Sequence, residues 1–160
     1  MAEQPKYLEM TLSQLKAYVE SSESKFLLVV ELMAKELSQY DREVFCILNM
    51  KNNGQVINMN LVSVGKINAS LVISREVFKS SILANASAII GLHYYPSSNV
   101  KPSKEDMIVT RKLQKCGELL GIELLDHIIV GGTNGKMLSF REEKMLNVIG
   151  RMDWERRKEN

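Results

Sequence analysis

The segment His93-Tyr94-Tyr95, followed by Ser103 and Asp106, carries the residue types of a metal-dependent hydrolytic site. Alternate residues of an extended strand share a face, so the side chains at positions 93 and 95 point to the same side. An imidazole at both positions and the carboxylate of Asp106 would make a three-ligand zinc site with a fourth position open for water. Position 95 is a tyrosine. The sequence therefore predicts a metal site in which one ligand has been replaced.

Tyr95 leaves two alternatives open. The ordinary pKa of a phenol is about 10, so its deprotonation at neutral pH costs roughly 4 kcal/mol, which the free energy of metal binding would have to offset. In the first alternative, a weakened zinc site is held by His93 and Asp106, with water or the tyrosinate completing it. In the second, the larger ring fills the pocket and no metal is bound.

Ser103, Asp106 and His93 also have structural interpretations. A serine followed three positions later by an acidic residue is typical of a capping box at a helix N-terminus, and an aspartate there also suits the helix dipole. A histidine at the end of a strand is typically a hydrogen-bonded structural residue. From these residues alone, the structural and the ligand roles remain alternatives.

A hairpin and alternating strands and helices are predicted around these residues. Asn53-Gly54 lies between apolar strands at 43–50 and 55–64, which predicts a tight turn with positive φ at both turn residues. Ser74 is predicted to cap a helix at 75–84, and a buried strand at 86–92 to deliver His93 at its end. Further strands are predicted at 69–73, 123–130 and 136–140.

The helices have apolar stripes that predict their buried faces. The helix after Ser103 is predicted to stop near Gly121, and further helices are predicted at 11–20, at 24–40 and from near Arg141. The chain divides into a helical extension at 1–40, one α/β domain with a mixed sheet at 41–140, and a C-terminal helix or tail at 141–160. Two of these helices have inward-facing residues that can be predicted. They are Val77, Phe78 and Ile82 in the helix at 75–84, and Val109, Leu113, Cys116 and Leu120 in the helix after Ser103.

Composition indicates one soluble globular domain. Of the 160 residues, 45% are hydrophobic and 25% are charged, which allows a real hydrophobic core. The formal net charge of +2 is too small to indicate nucleic-acid binding. No apolar run is long enough to cross a bilayer, and the N-terminus has no secretory signal pattern. Cys46 and Cys116 lie far apart in apolar stretches and are predicted to be buried thiols, so we expect a cytoplasmic protein.

Several segments together resemble the RadC branch of the JAB/MPN (JAMM) superfamily. The resemblance runs in register from about residue 41 to residue 140. Its most specific part is Leu124-Leu125-Asp126-His127-Ile128-Ile129-Val130-Gly131. The other matching segments are Gly65-Lys66-Ile67-Asn68-Ala69-Ser70, Arg75-Glu76-Val77-Phe78, Asn85-Ala86, His93-Tyr94-Tyr95-Pro96-Ser97, Pro102-Ser103-Lys104-Glu105-Asp106 and Thr110-Arg111-Lys112-Leu113.

This resemblance implies a single JAB/MPN-like (cytidine-deaminase-like) α/β domain with a mixed β-sheet flanked by helices. It also implies a zinc site. In active members the metal is bound by two histidines and an aspartate, here His93 and Asp106, with Tyr95 at the position of the lost ligand. A glutamate, here Glu43, acts as the general base, and a serine, here Ser103, helps to hold the oxyanion.

The chain departs from the family pattern in two places. The usual histidine-asparagine-histidine-proline-serine-glycine motif reads His93-Tyr94-Tyr95-Pro96-Ser97-Ser98. The first forty residues leave no room for the helix-hairpin-helix domain that precedes this domain in full-length RadC proteins. A DNA-binding role is therefore not expected from this part of the chain.

Asp126 and His127 belong to the family pattern, but their adjacency argues against a shared metal. Neighbouring residues of a strand face opposite sides of the sheet. We therefore expect His127 to be a structural residue.

The sequence leads to two main hypotheses. The first is a zinc metallopeptidase-type hydrolase with a degenerate JAMM site, acting on a peptide or isopeptide bond. The second is a catalytically inactive MPN-type domain without metal, which binds a protein or peptide partner and is able to form a homodimer. A third and weaker hypothesis, an auxiliary role in DNA metabolism, has no direct nucleic-acid signal behind it.

Overall fold

A five-stranded mixed sheet forms the centre of the computed structural model, which describes residues 35–66, 72, 74–97, 99–132 and 136–146. The strands are β1 (Val44–Met50), β2 (Val56–Val64), β3 (Ala88–Tyr95), β4 (Glu123–Gly131) and β5 (Lys136–Ser139). Their order across the sheet is β2-β1-β3-β4-β5. The pair β3/β4 is parallel and the other three pairs are antiparallel, so the predicted α/β fold with a mixed sheet is confirmed.

Two helices pack on one face of this sheet. They are α1 (Ser74–Leu83) and α2 (Lys104–Leu120), and α2 is the crossover between the parallel strands β3 and β4. The core beneath them is built from alternate strand residues and the inner faces of both helices. It includes Phe45, Ile47, Val77, Phe78, Ile89, Val109, Leu113 and Leu124.

The opposite face of the sheet is also apolar and buried. Every residue of β1 is buried, which explains why its sequence is apolar on both faces except at Asn49 and does not alternate. Leu37, in the short helical stretch 35–37, packs against this face. The core on this side includes Val44, Cys46, Leu48, Ile90, Leu92, Tyr94, Ile128 and Val130.

The β1–β2 hairpin is present, but its turn differs from the predicted one. Gly54 has φ +83°, whereas Asn53 is not among the described residues with positive φ. The amide of Gly54 donates to the carbonyl of Lys51 at 3.0 Å, and the amide of Lys51 donates to the carbonyl of Gln55 at 2.8 Å. This pattern is a three-residue loop in which a turn is followed by a left-handed glycine, so only one residue needs positive φ.

Both ends of α2 are capped as the sequence predicts. Ser103 is the N-cap and forms a reciprocal capping box with Asp106. At the other end, Gly121 has φ +68°, and its amide donates to the carbonyl of Gly117. Because the capping box fixes the first turn of α2, it also fixes the direction in which Asp106 points.

Several predicted details are wrong. Strand β3 runs to Tyr95, so His93 lies inside the strand and not at its end. Ser74 is the first residue of α1, and its hydroxyl has no hydrogen-bond partner among the described residues, so it does not act as the predicted cap. Ile82 is 57% exposed and Leu120 is 47% exposed, and each lies near the C-terminal end of its helix.

Some predicted elements fall mainly outside the described residues. The helix at 11–20, residues 24–34 of the helix at 24–40, and all of the strand at 69–73 except Val72 lie there, and Val72 itself is not in a strand. Residues 141–144 form a turn, with the closing helix beginning only at 145–146 in the described part. No helix of the described ranges has the length and apolarity needed to span a membrane.

Candidate functional site

The fold brings the four sequence-predicted site residues together at one end of the sheet. Glu43 immediately precedes β1, and His93 and Tyr95 lie on the neighbouring strand β3. Phe45 is directly opposite His93 in the antiparallel β1/β3 register, which places Glu43, two residues earlier, on the same face. The N-terminus of α2 adds Ser103 and Asp106 from above this face.

Asp106 is the centre of the hydrogen-bond network. Its Oδ1 lies 2.6 Å from Nδ1 of His93. Its Oδ2 accepts from the hydroxyl of Tyr95 at 2.7 Å, and from the amide and the hydroxyl of Ser103 at 2.8 and 2.9 Å. Three of these four contacts are made by Oδ2 and one by Oδ1.

The hydrogen bonds hold Asp106 in its ionised form. The residue is fully buried, and burial raises the pKa of a carboxyl group. Hydrogen bonds from His93, Tyr95 and the Ser103 amide, together with the charge of His93, outweigh burial and lower the pKa of Asp106 well below its usual range. The carboxylate is therefore a strong hydrogen-bond acceptor.

Tyr95 behaves as a proton donor and not as a metal ligand. Burial, its hydrogen bond to Asp106 and the nearby carboxylates raise the pKa of the phenol above its ordinary value, against a smaller opposite effect of Ser103. At neutral pH the hydroxyl keeps its proton and directs it to Asp106, the group that would share a metal with it. The arrangement of His93, Tyr95 and Asp106 therefore does not fit the zinc site that the resemblance implies.

His93 lies between two carboxylates. Its Nδ1 contacts Asp106, and its Nε2 lies 3.3 Å from Oε2 of Glu43. The imidazole is fully buried, and its ring centroid lies 4.3 Å from that of Tyr95. Both ring nitrogens of His93 are thus engaged in hydrogen bonds.

His127 is a site residue that the sequence interpretation missed. It lies on β4 opposite Gly91, and it is buried. A ligand atom of His127, one of His93 and one of Asp106 all lie within 4.8 Å of one another, which makes the three residues a possible metal-binding group. The expectation that His127 is structural did not include this possible role, and it stays a prediction. The part of that argument about opposite faces is confirmed, because Asp126 instead accepts from Ser139 and from the amide of Arg141.

The position of His127 depends on a glycine in the neighbouring strand. A Cβ at Gly91 would lie 3.4 Å from Cζ of Phe45 and 3.6 Å from Cδ2 of His127. The missing side chain leaves room for both rings on the face that also carries His93. The only sequence signal for His127 was therefore the glycine two positions before His93. This signal can be interpreted only when the parallel β3/β4 register is known, and that register contains an irregularity between Ile89 and Ile90.

The donor set of this second group suits a divalent transition metal. Two imidazoles and a carboxylate are common zinc ligands. Burial lowers the pKa of His127 to about 3, so its imidazole is neutral at physiological pH, as metal binding requires. Unlike the arrangement that includes Tyr95, the residues His93, Asp106 and His127 therefore fit a metal ion by their chemistry.

Sequence comparison finds several relatives of this chain. The chain is 43% identical over 118 residues to a UPF0758 protein of Moorella thermoacetica, an alignment that covers 74% of this chain and 51% of that protein. It is 41% identical over 115 residues to a UPF0758 protein of Methanosarcina acetivorans, with 72% and 49% covered. A UPF0758 protein of Staphylococcus carnosus is 48% identical over 100 residues, with 62% and 43% covered.

The chain spans about half the length of the curated relatives it matches. The sequence model of the RadC-like JAB domain matches residues 24–145, a longer stretch than the 41–140 of the sequence-based division. This match covers most of the 160 residues and includes every residue of the site. The chain therefore belongs to the RadC-like JAB domain family.

Proposed function

We propose that this RadC-like JAB domain has lost its hydrolytic chemistry and acts by binding a protein or peptide. The observation that carries the proposal is the hydrogen bond from Tyr95 to Oδ2 of Asp106. It supports a site in which residue 95 donates a proton to the aspartate, at the position where the family pattern has a metal-binding imidazole. The arrangement that the family uses for hydrolysis is therefore altered at this position.

The hydroxyl of Ser103 supports the same conclusion. It donates to Oδ2 of Asp106 at 2.9 Å and accepts from the amide of Asp106 at 3.1 Å. A serine that stabilises an oxyanion must direct its proton to the developing charge. In this site the proton of Ser103 is directed to a carboxylate, so oxyanion stabilisation would first require the loss of a charge-assisted hydrogen bond.

An apolar groove between α1 and α2 supports the binding role. It has a volume of about 720 Å³, and its walls include Phe78, Ile82, Leu83, Leu119 and Leu120. Leu83 is 82% exposed and Leu119 is 89% exposed, and exposed apolar patches mark interaction sites. The charged residues that line the groove are Arg75 and Lys79. A peptide segment with apolar side chains and acidic flanking residues would complement it.

A peptide-display selection tests the binding role. We expect selected peptides to combine leucine-like side chains with acidic residues and to lose binding at least tenfold in the variant Leu83→Glu. The matched control is Leu61→Glu, because Leu61 is a 45% exposed leucine on β2, outside the groove. If the selected peptides bound equally well to Leu83→Glu and Leu61→Glu, the groove would be refuted as the binding surface. If the wild type formed a dimer that Leu83→Glu abolished and Leu61→Glu did not, the partner would be a second copy of the chain.

The second candidate function is a zinc metallopeptidase-type hydrolase. It is favoured by Glu43, whose Oε2 lies 3.3 Å from Nε2 of His93 and so remains beside the expected ligand set. Zinc supplies Lewis acidity and lowers the pKa of bound water to about 7. In this function Glu43 would accept the proton of water, His93 and Asp106 would bind the metal, and Ser103 would stabilise the oxyanion.

Metal dependence and Glu43 dependence together separate the two functions. The protein is dialysed, supplied with zinc and assayed against a fluorogenic peptide library, with Glu43→Gln as the matched variant. We expect no hydrolysis that depends on both zinc and Glu43. Zinc-dependent turnover that Glu43→Gln abolishes would refute the loss of hydrolysis and establish the second function.

A further inference from the structure

We infer that His127, and not residue 95, supplies the third protein ligand for a divalent metal ion held by His93 and Asp106. This inference goes beyond the proposed function, because it concerns metal binding and neither hydrolysis nor protein contacts. Failure of the groove to bind a peptide would not affect this inference. Failure of His127 to bind a metal would not affect the proposal for the groove.

The first step fixes the tautomer of His127. The hydroxyl of Thr110 lies 2.7 Å from the carbonyl oxygen of Asp106 and 2.6 Å from Nδ1 of His127. A hydroxyl has one proton, and the carbonyl can only accept, so the hydroxyl of Thr110 donates to Asp106. Nδ1 of His127 must then carry a proton and donate it to Thr110. If the hydroxyl of Thr110 instead donated to Nδ1 of His127, its oxygen and the carbonyl oxygen of Asp106 would lie 2.7 Å apart without a proton between them.

The second step follows for the other nitrogen. With its proton on Nδ1, the neutral imidazole of His127 has a lone pair on Nε2. That atom is buried and has no hydrogen-bond partner among the described residues. Buried polar atoms almost always have partners, so an acceptor without one indicates a missing group.

The ring of His127 is held firmly by its neighbours. Phe140 stacks on it, with ring centroids 4.7 Å apart and planes at 23°, and the edge contact with Phe45 has centroids 5.7 Å apart. Together with the hydrogen bond to Thr110, these contacts fix where Nε2 points. A ligand atom of His127 lies within 4.8 Å of ligand atoms of His93 and Asp106, and with Nδ1 bound to Thr110 we assign this role to Nε2.

A metal ion matches the demands of this group. Nδ1 of His93 lies 2.6 Å from Oδ1 of Asp106, and a cation bound between the ligand residues would replace this hydrogen bond. Oδ2 of Asp106 can keep its bonds to Tyr95 and Ser103 meanwhile. All three ligand residues are buried, so a bound ion would be enclosed by the protein.

Zinc titration of matched variants tests the inference. The chain contains two histidines, and both belong to the site, so the protein is prepared without a histidine tag. We expect the wild type to bind one Zn²⁺, measured by competition with a chromophoric chelator. His127→Gln should weaken binding at least 100-fold. Thr110→Val should weaken it about 10- to 100-fold, whereas Thr110→Ser, which keeps the hydroxyl, should restore it to within about threefold.

Tyr95→Phe is the control that distinguishes the two metal arrangements. It removes the phenol oxygen and keeps the ring, so it should not weaken zinc binding. A loss of affinity in Tyr95→Phe, wild-type affinity in His127→Gln, or no zinc binding by the wild type would each overturn the inference. If His127→Gln does not fold, as judged by its circular dichroism, the Thr110 pair decides.

Imidazole ¹⁵N spectra give a second readout that a purely structural role for His127 would not produce. With only two histidines the signals are readily assigned. In the metal-free protein we expect His127 to be protonated on Nδ1 and unprotonated on Nε2, and we expect zinc to shift the Nε2 signal. A proton on Nε2, or a signal unchanged by saturating zinc, would contradict the inference.

Discussion

Replacement of Tyr95 by phenylalanine removes the hydroxyl that donates to Asp106 and leaves the ring in place. Hydrogen bonds to charged groups stabilise proteins by about 1.5–3 kcal/mol. Tyr95 is only partly buried, and Asp106 keeps its contacts with His93 and Ser103, so the lower end of this range applies. We expect Tyr95→Phe to lower the free energy of unfolding by about 1.5–2 kcal/mol. For a chain of this size, that corresponds to a fall in Tm of roughly 3–8 °C.

Urea denaturation followed by circular dichroism measures this change. The m value should stay constant, because the surface exposed on unfolding hardly changes. Tyr40→Phe is the control, since Tyr40 is 42% exposed, and we expect an effect of at most about 0.5 kcal/mol there. In an Asp106→Asn background the effect of Tyr95→Phe should shrink by about 1 kcal/mol, because the two groups interact directly. A loss below about 0.5 kcal/mol in the wild-type background would refute the reasoning.

Three further predictions follow from the same contacts. Tyr95→His introduces a ligand that needs no deprotonation at neutral pH, so zinc affinity measured by chelator competition should rise at least about tenfold; unchanged affinity would mean that position 95 does not face the metal. Because the pKa of Asp106 is lower in the folded than in the unfolded state, the stability it provides is present above about pH 4 and is lost below it. The difference in unfolding free energy between the wild type and Asp106→Asn should therefore shrink as the pH falls from about 5 to about 3, and a difference that grows on acidification would contradict this sign. Gly117→Ala places a Cβ against the carbonyl oxygen of Ile122 and should lower the free energy of unfolding by at least about 2 kcal/mol in urea melts, whereas a stabilised variant would contradict the close approach.

The elements that carry their own local signals could be predicted from the sequence. Ser103 and Asp106 have the spacing of a capping box, and Gly121 has the place of a left-handed C-cap, so both ends of α2 were predictable. The apolar run at 43–50 likewise indicated a strand, which the structure shows as β1. These features depend on residues a few positions apart, which is the distance over which a sequence can be interpreted directly.

The features that depend on long-range register could not be predicted. His127 reaches the site because β4 pairs in parallel with β3 and Gly91 leaves space beside it. The argument that Asp126 and His127 face opposite sides of the sheet was correct. The alternation of side chains along a strand does not tell, however, which of the two residues faces His93. Ile82 was misassigned for a similar reason, because helical periodicity does not show where the sheet beneath a helix ends.

The role of Tyr95 required both kinds of information. The sequence showed that a ligand was replaced, and left a weakened zinc site and a filled pocket as alternatives. The structure adds the role of the hydroxyl, because it shows that the carboxylate of Asp106 accepts a hydrogen bond from the phenol. This contact depends on the position of the α2 N-terminus relative to β3, which no local pattern provides.

The central claim is that the phenol of Tyr95 donates its proton to Asp106 and does not bind a metal. Diffraction from zinc-soaked crystals, with anomalous data collected at the zinc edge, tests it most directly. We expect the hydroxyl of Tyr95 to remain within hydrogen-bond distance of Asp106 Oδ2, and any bound zinc to lie against Nε2 of His127. An anomalous peak coordinated by the oxygen of Tyr95 together with His93 and a water molecule would contradict the account.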